Sequence, residues 1–171
     1  MRNLWMGLAA AAVAAAPAWA ASWTWLNDAS EKFAVEMPGT TTVRRWEEDV
    51  GGGTKVPTIE YSMTADGRSW IAGVGVFGFD ATDAQLEPAL GAAVDGAVAE
   101  DKGTATWRRT VRVSGRIGVE TEYSFVKGGA PWRGRVLATF GNQRMYSLIL
   151  REPASLPAAD QERAVKSFRI L

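Results

Sequence analysis

A few short patterns in the chain combine side chains that could do chemistry, and each is incomplete. Ser124 and Lys127 match the S-x-x-K spacing of Ser–Lys acyl transfer, in which the two groups lie one helical turn apart. Here they belong to a strand-like segment that runs into a glycine turn, so they would point to opposite faces. The chain also has no His and no Cys, which excludes Ser–His–Asp triads and cysteine nucleophiles. The sequence therefore predicts no catalytic residue and no enzyme.

Two further patterns could bind phosphate or calcium. The segment Gly51–Lys55 is rich in glycine, but a phosphate loop needs Gly-Lys-Ser/Thr between a buried strand and a helix, and here Pro57 and a strand follow. It is better interpreted as a hairpin loop. Asp80 and Asp83 do not have the spacing of a calcium loop, and Asp83 is predicted to be a helix N-cap instead. No cofactor and no metal site is predicted.

A run of basic side chains, Arg108, Arg109 and Arg112, lies beside Trp107 and could contact nucleic acid. The chain has 19 Lys plus Arg and 19 Asp plus Glu, so it lacks the basic excess of nucleic-acid binders, and no such partner is predicted. Arg109 is expected to lie near a strand end or to stack on an aromatic side chain.

The same run is predicted to form a salt-bridged sheet face. The expected strand pairing puts Arg108 and Arg112 on one face with Glu120 and Glu122, and Arg135 opposite Glu122. Glu120 and Glu122 are too close along one strand to act across a cleft as glycosidase carboxylates do.

The first residues are typical of a secretory signal peptide. Arg2 precedes an apolar stretch, and Ala18-Trp19-Ala20 is a small-x-small cleavage site. Residues 1–20 are therefore predicted to be removed, leaving one domain over 21–171 that is periplasmic or secreted. The apolar stretch is too short for a membrane anchor, so no stable span is expected after cleavage between Ala20 and Ala21.

Periodicity along the remaining chain predicts strands, a helix, four more strands and a second helix. Residues 33–37 and 58–64 alternate, and residues 70–79 are apolar at nearly every position, which favours a central strand buried on both faces. The helix is expected after Asp83, with Pro88 delaying its regular part to about Glu87. The later strands are expected at 104–113, 118–126, 132–140 and 143–150, and the last helix near 158–168.

Both faces of the last predicted hairpin carry large apolar side chains, so each face needs a cover. The predicted fold class is α+β, an antiparallel sheet of about six to eight strands with helices covering both faces. Trp70, Trp107 and Trp132 alternate with apolar neighbours and are expected in the core.

Several of these features together resemble the PsbP-like α/β/α sandwich. They are the aromatic Trp25, the run Phe33-x-Val35-x-Met37-Pro38, a mid-chain helix, and Tyr146-x-Leu148 before a short helix ending at Ser167-Phe168. Extrinsic photosystem proteins, a Ran-binding nuclear import factor and many small exported bacterial proteins share this fold. The resemblance implies a binding or assembly protein, and it transfers no catalytic residue or specific partner.

The candidate contact surface lies on residues 42–48. Arg44 and Trp46 share one face of this segment, and the other face is also charged, so it is expected to be an edge strand protected by charge. Arg44, Trp46, Gly51, Gly52 and Gly53 are predicted to form an exposed, mobile protrusion that contacts an envelope protein. The alternative function is a carrier that holds a small apolar ligand between the sheet and the first helix.

Overall fold

The computed structural model describes residues 22–65 and 67–171. The predicted signal peptide, its cleavage site at Ala20–Ala21, and Asp66 of the predicted Asp66-Gly67 turn lie outside these residues. The described helices are α1 (Asp83–Glu100) and α2 (Ala159–Ser167). The strands are β1 (Thr24–Asp28), β2 (Phe33–Met37), β3 (Thr42–Asp49), β4 (Lys55–Ala65), β5 (Arg68–Val76), β6 (Thr104–Val113), β7 (Arg116–Lys127), β8 (Ala130–Gly141), β9 (Arg144–Pro153) and β10 (Arg169–Ile170).

The main sheet has seven antiparallel strands in the order β3-β4-β5-β9-β8-β7-β6. The meander β6 to β9 returns so that β9 pairs with β5, with Leu148 opposite Ala72. α1 packs on one face of this sheet, and β2 with α2 on the other. The predicted fold class, an antiparallel α+β sheet covered on both faces, is confirmed.

A second, three-stranded sheet has the order β1-β2-β10. The sequence predicts β2 but neither β1, whose side chains are mostly exposed, nor β10, which has two residues. In β2 both faces are covered: Phe33, Ala34 and Val35 are all fully buried. Strand β2, which the sequence pattern assigned to a single antiparallel sheet, therefore belongs to a separate layer.

The core between the two sheets is aromatic. Phe33 packs edge-to-face on Tyr61 at 5.4 Å between ring centroids and lies 6.0 Å from both Tyr146 and Phe168. Trp70 is fully buried in the same core, as predicted. Trp132 is half-buried and packs against the core beneath α1, whereas Trp107 is half-buried and part of neither core, so the prediction for Trp107 is wrong.

The second core lies beneath α1. Leu90 and Val94 of the helix pack on a sheet surface that includes Val119 and Val136. The helix begins at Asp83, and its N-cap is Thr82 rather than the predicted Asp83. Leu86 already donates its backbone N–H to the Thr82 carbonyl oxygen at 3.0 Å. Regular helix thus precedes Pro88, which lies inside α1 and does not delay its start to Glu87.

Strand β5 is interior, as predicted, but only one of its faces is fully buried. Trp70, Ala72 and Val74 are buried, while Ile71 and Gly73 on the other face are half-buried. The strand ends at Val76 instead of reaching Phe79. The apolar run at residues 70–79 was expected to be buried on both faces, but small and apolar side chains also occur on a half-exposed sheet face.

Turn positions account for the other differences. Ser114 and Gly115, which follow the strand expected at 104–113, form the turn with φ of 48° and 80° and make Val113 pair with Arg116. The strands expected at 132–140 and 143–150 leave Gly141-Asn142 for the turn and pair Phe140 with Gln143. The turn is instead Asn142-Gln143, so Phe140 pairs with Met145 and the expected register is off by two residues. A shift of two preserves the faces, and both faces of that hairpin carry apolar side chains as predicted.

Candidate functional site

Strand β3 is an edge strand of the main sheet, as predicted. Arg44, Trp46 and Glu48 alternate along one face of it. The Arg44 guanidinium lies 4.5 Å from the Trp46 ring centroid, and the indole N–H donates to Glu48 Oε2 at 2.5 Å. The half-buried ring thus has a cation over its face and a carboxylate at its N–H edge.

This face of β3 is continuous with the sheet face that carries α1. Directly opposed residues share a face, and the pairings Trp46–Thr58, Thr58–Gly75, Gly75–Met145 and Met145–Phe140 lead across the sheet to Phe140 in the core beneath α1. α1 packs on β6, β7 and β8, at the far side of that face.

The part of this face near β3 is lined by small residues, and we call it the open half-face (Thr58, Gly73, Gly75 and Ser147). These four residues and the adjacent Trp46 are half-buried. A Cβ on Gly73 would lie 2.6 Å from Ser147 Oγ, and one on Gly75 would lie 3.3 Å from Val56 Cγ1. Larger side chains at these two positions would collide with their neighbours, and the large side chains Trp46, Phe77 and Met145 border the strip.

The glycine hairpin connects β3 to β4 and is exposed. Gly51, Gly52 and Gly53 have φ of 97°, 63° and 78°, a region in which L side chains are strained. The Val50 N–H donates to the Thr54 carbonyl oxygen at 3.0 Å, closing the loop. The hairpin-loop interpretation is confirmed, and Lys55, which would be the phosphate ligand, pairs with Glu47 at 3.8 Å. Mobility of the loop stays a prediction.

The other side chains singled out in the sequence are not gathered into one site. Ser124 and Lys127 are exposed on β7. Asp83 pairs with Arg112 at 2.6 Å, and Asp80 accepts from Gln143 Nε2 at 3.3 Å. No cluster of three or more His, Cys, Asp or Glu side chains suited to a metal ion occurs in residues 22–65 and 67–171.

The face assignment of the basic run is wrong by one residue. Arg109, not Arg108 or Arg112, lies opposite Glu120. The two-residue turn at Ser114-Gly115 sets this register, and a change of one residue moves every side chain to the other face. Arg135 lies opposite Glu122, as predicted.

The expected stacking of Arg109 is present. Its guanidinium lies 5.0 Å from the Trp107 ring centroid, and Arg135 lies 5.4 Å from the same ring. Both arginines also bind the buried carboxylate of Glu120, at 2.8 Å and 2.6 Å. This cluster is saturated by its own ion pairs and stabilises the face of β6, β7 and β8.

An apolar pocket lies beside α1, in the region where the carrier alternative would hold a ligand, but sequence reasoning did not identify the residues that line it. Phe77 and Phe79 follow β5, Phe140 ends β8, and the three rings come within 5.8–6.2 Å of one another. The signal was present in the residues 77–79, where two Phe flank a Gly, but the run was assigned to a continuous strand. Within the part of the chain that the structure describes, no helix is both long and apolar enough to cross a membrane.

No family model matches the chain, and no curated protein matches it. Among solved structures, cyanobacterial PsbP (CyanoP) from Synechocystis sp. PCC 6803 is similar over 91 % of this chain and 96 % of its own, with a TM-score of 0.61 and 10 % identity. A protein of unknown function from Pseudomonas aeruginosa aligns over 84 % of this chain and 91 % of its own, with a TM-score of 0.39 and 14 % identity.

A Bacteroides thetaiotaomicron protein aligns over 82 % of this chain, with a TM-score of 0.44 and 12 % identity, and this chain spans 45 % of that protein's length. The likeness to cyanobacterial PsbP is the one that bears on architecture, because it covers nearly the whole of both chains. At 10 % identity it establishes the fold: the chain is a PsbP-like α+β sandwich.

Proposed function

We propose that this chain is a non-enzymatic binding or assembly protein that contacts a protein partner through β3. The observation that carries the proposal is the Arg44–Trp46 stack on an exposed edge strand. A Trp presents a large rigid apolar area to a partner, and an adjacent Arg adds directional hydrogen bonds. The lack of His and Cys in the sequence supports a non-enzymatic role.

Two features of the surrounding surface favour this contact. The outer edge of β3 has no partner strand among the described residues, so its backbone N–H and C=O groups are available to an added strand. The shallow open half-face lies directly beside Trp46, so a partner that pairs with β3 could also lay side chains on Thr58 and Gly75.

The charges on β3 select against nonspecific pairing. Arg44, Arg45, Glu47, Glu48 and Asp49 place both signs on the edge, which discourages self-association of flat strands. A specific partner would need complementary charges at these positions. We therefore place Arg44, Trp46 and the hairpin Gly51, Gly52 and Gly53 at the contact, with Trp46 as its centre.

The test is capture of a partner from envelope extract with tagged protein and two tryptophan variants. Trp46→Ala should lose the partner while its melting temperature stays within a few degrees of the wild type. Trp25→Ala is the matched control, because Trp25 is 49 % exposed on β1 and stacks under Arg169 at 4.6 Å. A partner retained by Trp46→Ala, or lost equally by both variants, would contradict the proposal.

We also propose that the protein is exported after cleavage between Ala20 and Ala21. The small-x-small pattern of Ala18-Trp19-Ala20 supports this site. N-terminal sequencing of the protein recovered from the periplasm or medium should begin at Ala21. A mature pool that still starts at Met1 would contradict export by this route and would place the partner elsewhere.

A further inference from the structure

A pocket of about 260 Å³ lies between the first half of α1 and the end of the β8–β9 hairpin. Most of its lining is apolar, and it opens beside the segment that connects β5 to α1. It lies on the same sheet face as the open half-face, where its lining residue Met145 pairs with Gly75, but it shares no residue with that strip or with the Arg44–Trp46 stack. The lining residues used below are Phe79, Asp80, Ala89, Phe140 and Met145.

Three phenylalanines shape the aromatic wall. Phe79 stacks on Phe140 at 6.0 Å and meets Phe77 edge-to-face at 5.8 Å. Gly78, with φ of 73°, turns the chain between Phe77 and Phe79. Phe79 therefore stands at the mouth with 52 % of its surface exposed, although apolar space lies directly beside it. A concave apolar pocket with aromatic walls and a polar group at its opening is typical of a small-molecule site.

The helix side of the pocket is kept open by small residues. Ala89 of α1 and Ala81 before it line the space that a larger side chain would fill. Met145 lines the sheet side, and its flexible thioether can adapt to ligands of different shape. An apolar cavity of about 150 Å³ already holds a benzene molecule, so this pocket has room for one ring with a short chain.

The charge at the rim selects the polar end of the ligand. Asp80 is the one ionisable residue of the lining, and among the described residues it forms no salt bridge. Within residues 22–65 and 67–171 its carboxylate accepts one side-chain hydrogen bond, from the Gln143 amide at 3.3 Å. The neighbouring acids of α1 are already engaged, Asp83 by Arg112 at 2.6 Å and Glu87 by Thr110 at 2.7 Å.

We infer that this pocket binds a small aromatic amine, with the ring between Phe79, Phe140 and Met145 and the ammonium group beside Asp80. The sequence alone left open a carrier for a small apolar ligand, and the geometry places that ligand and gives its polar end a positive charge. The inference does not depend on the contact proposed for β3.

The test uses three probes that share a ring and differ in charge: 2-phenylethylamine, 2-phenylethanol and phenylacetate. Binding is followed by backbone amide chemical shifts in NMR titrations at millimolar probe. The amine should shift the amides of residues 79–90 and bind about two- to fivefold more tightly than the alcohol, a range typical of one exposed ion pair. Phenylacetate should bind most weakly.

Two substitutions locate the site. Ala89→Leu fills the pocket and should weaken the amine at least about tenfold, whereas Ala92→Leu, on an exposed helix position outside the lining, should leave it unchanged. Asp80→Asn should remove the difference between amine and alcohol. Absence of localised shifts, an unaltered affinity in Ala89→Leu, or preference for phenylacetate would overturn the inference. The inference would also be overturned if Trp46→Ala lost the amine while Ala89→Leu still bound it, because the ligand would then bind at β3.

Discussion

The carboxylate of Glu120 lies 2.6 Å from the guanidinium of Arg135, with both side chains buried in the sheet face opposite α1. The second carboxylate oxygen binds Arg109, whose side chain is 58 % exposed. One buried anion thus compensates a buried cation and a surface cation on three adjacent strands.

We expect Glu120→Ala to lower the free energy of unfolding by about 3–5 kcal/mol, because it leaves Arg135 buried without a counter-charge. Urea denaturation measures the change. The control is Arg109→Ala, which removes the exposed member of the cluster and should cost below about 1 kcal/mol. Equal losses in the two variants would show that burial of the pair is energetically unimportant.

Val74 gives the strongest test of the position of β5. Its side chain is 1 % exposed in the core between the two sheets, so Val74→Asp buries a charge without a partner and should cost several kcal/mol. The protein should become insoluble or lose its cooperative thermal transition.

Two further Asp substitutions grade that result. Val76→Asp, at the half-buried end of the strand, should cost less than Val74→Asp. Val126→Asp, where the side chain is 72 % exposed on β7, should change stability by about 0.5 kcal/mol or less. A soluble Val74→Asp variant as stable as Val126→Asp would contradict the placement of β5.

Local patterns predicted most of the elements because they depend on neighbouring residues. The alternation of Ile59, Tyr61 and Met63 marks one buried face of β4, and the unalternating charges around Trp46 mark an edge. Both assignments are correct, because the alternation of apolar and polar side chains directly indicates which face of a strand is buried.

Register and long-range packing could not be obtained in the same way. In the last hairpin a turn misplaced by one residue shifts the pairing by two, so Phe140 pairs with Met145 instead of Gln143, and no local signal distinguishes the two registers. The pocket beside α1 is formed in part by Phe79 and Phe140. These residues are far apart in the chain and come into contact only when the strands have assembled into the sheet. The edge position of β3 could be predicted because it follows from the neighbouring residues 42–49, whereas its role as a contact site stays a prediction.

Asp28 makes the stability depend on pH. Burial raises the pKa of its carboxyl, but hydrogen bonds from Ser30, Tyr61 and the backbone N–H of Glu31 outweigh burial and lower the pKa to about 2. The unfolded value is about 3.9, so the ionised carboxylate stabilises the fold above that pH. This contribution is lost as the pH falls from about 4 toward 2.

Asp28→Asn should therefore be less stable than the wild type at pH 7, by about 1 kcal/mol once solvent screening is allowed for. The difference should shrink as the pH approaches 2. Denaturation curves between pH 7 and pH 2.5 measure it, with Tyr61→Phe as a control that removes one of the donors. A difference that stays constant over this range would show that Asp28 does not titrate with a depressed pKa.

Gly134 is required by the ring of Tyr123, which lies directly opposite on β7. A Cβ on Gly134 would overlap the ring, and Tyr123 cannot move aside because its hydroxyl donates to Asp101 Oδ2 at 2.5 Å. Gly134→Ala should thus destabilise the protein by about 1–3 kcal/mol, as overpacking does in other cores.

The opposite sign is expected for Gly96→Ala, since Gly96 is an exposed position within α1 with open space around it. Alanine there should stabilise by about 0.5–1 kcal/mol through helix propensity. Thermal denaturation of the two variants side by side tests both signs, and a Gly134→Ala variant as stable as Gly96→Ala would contradict the close approach of Tyr123 to the β8 backbone.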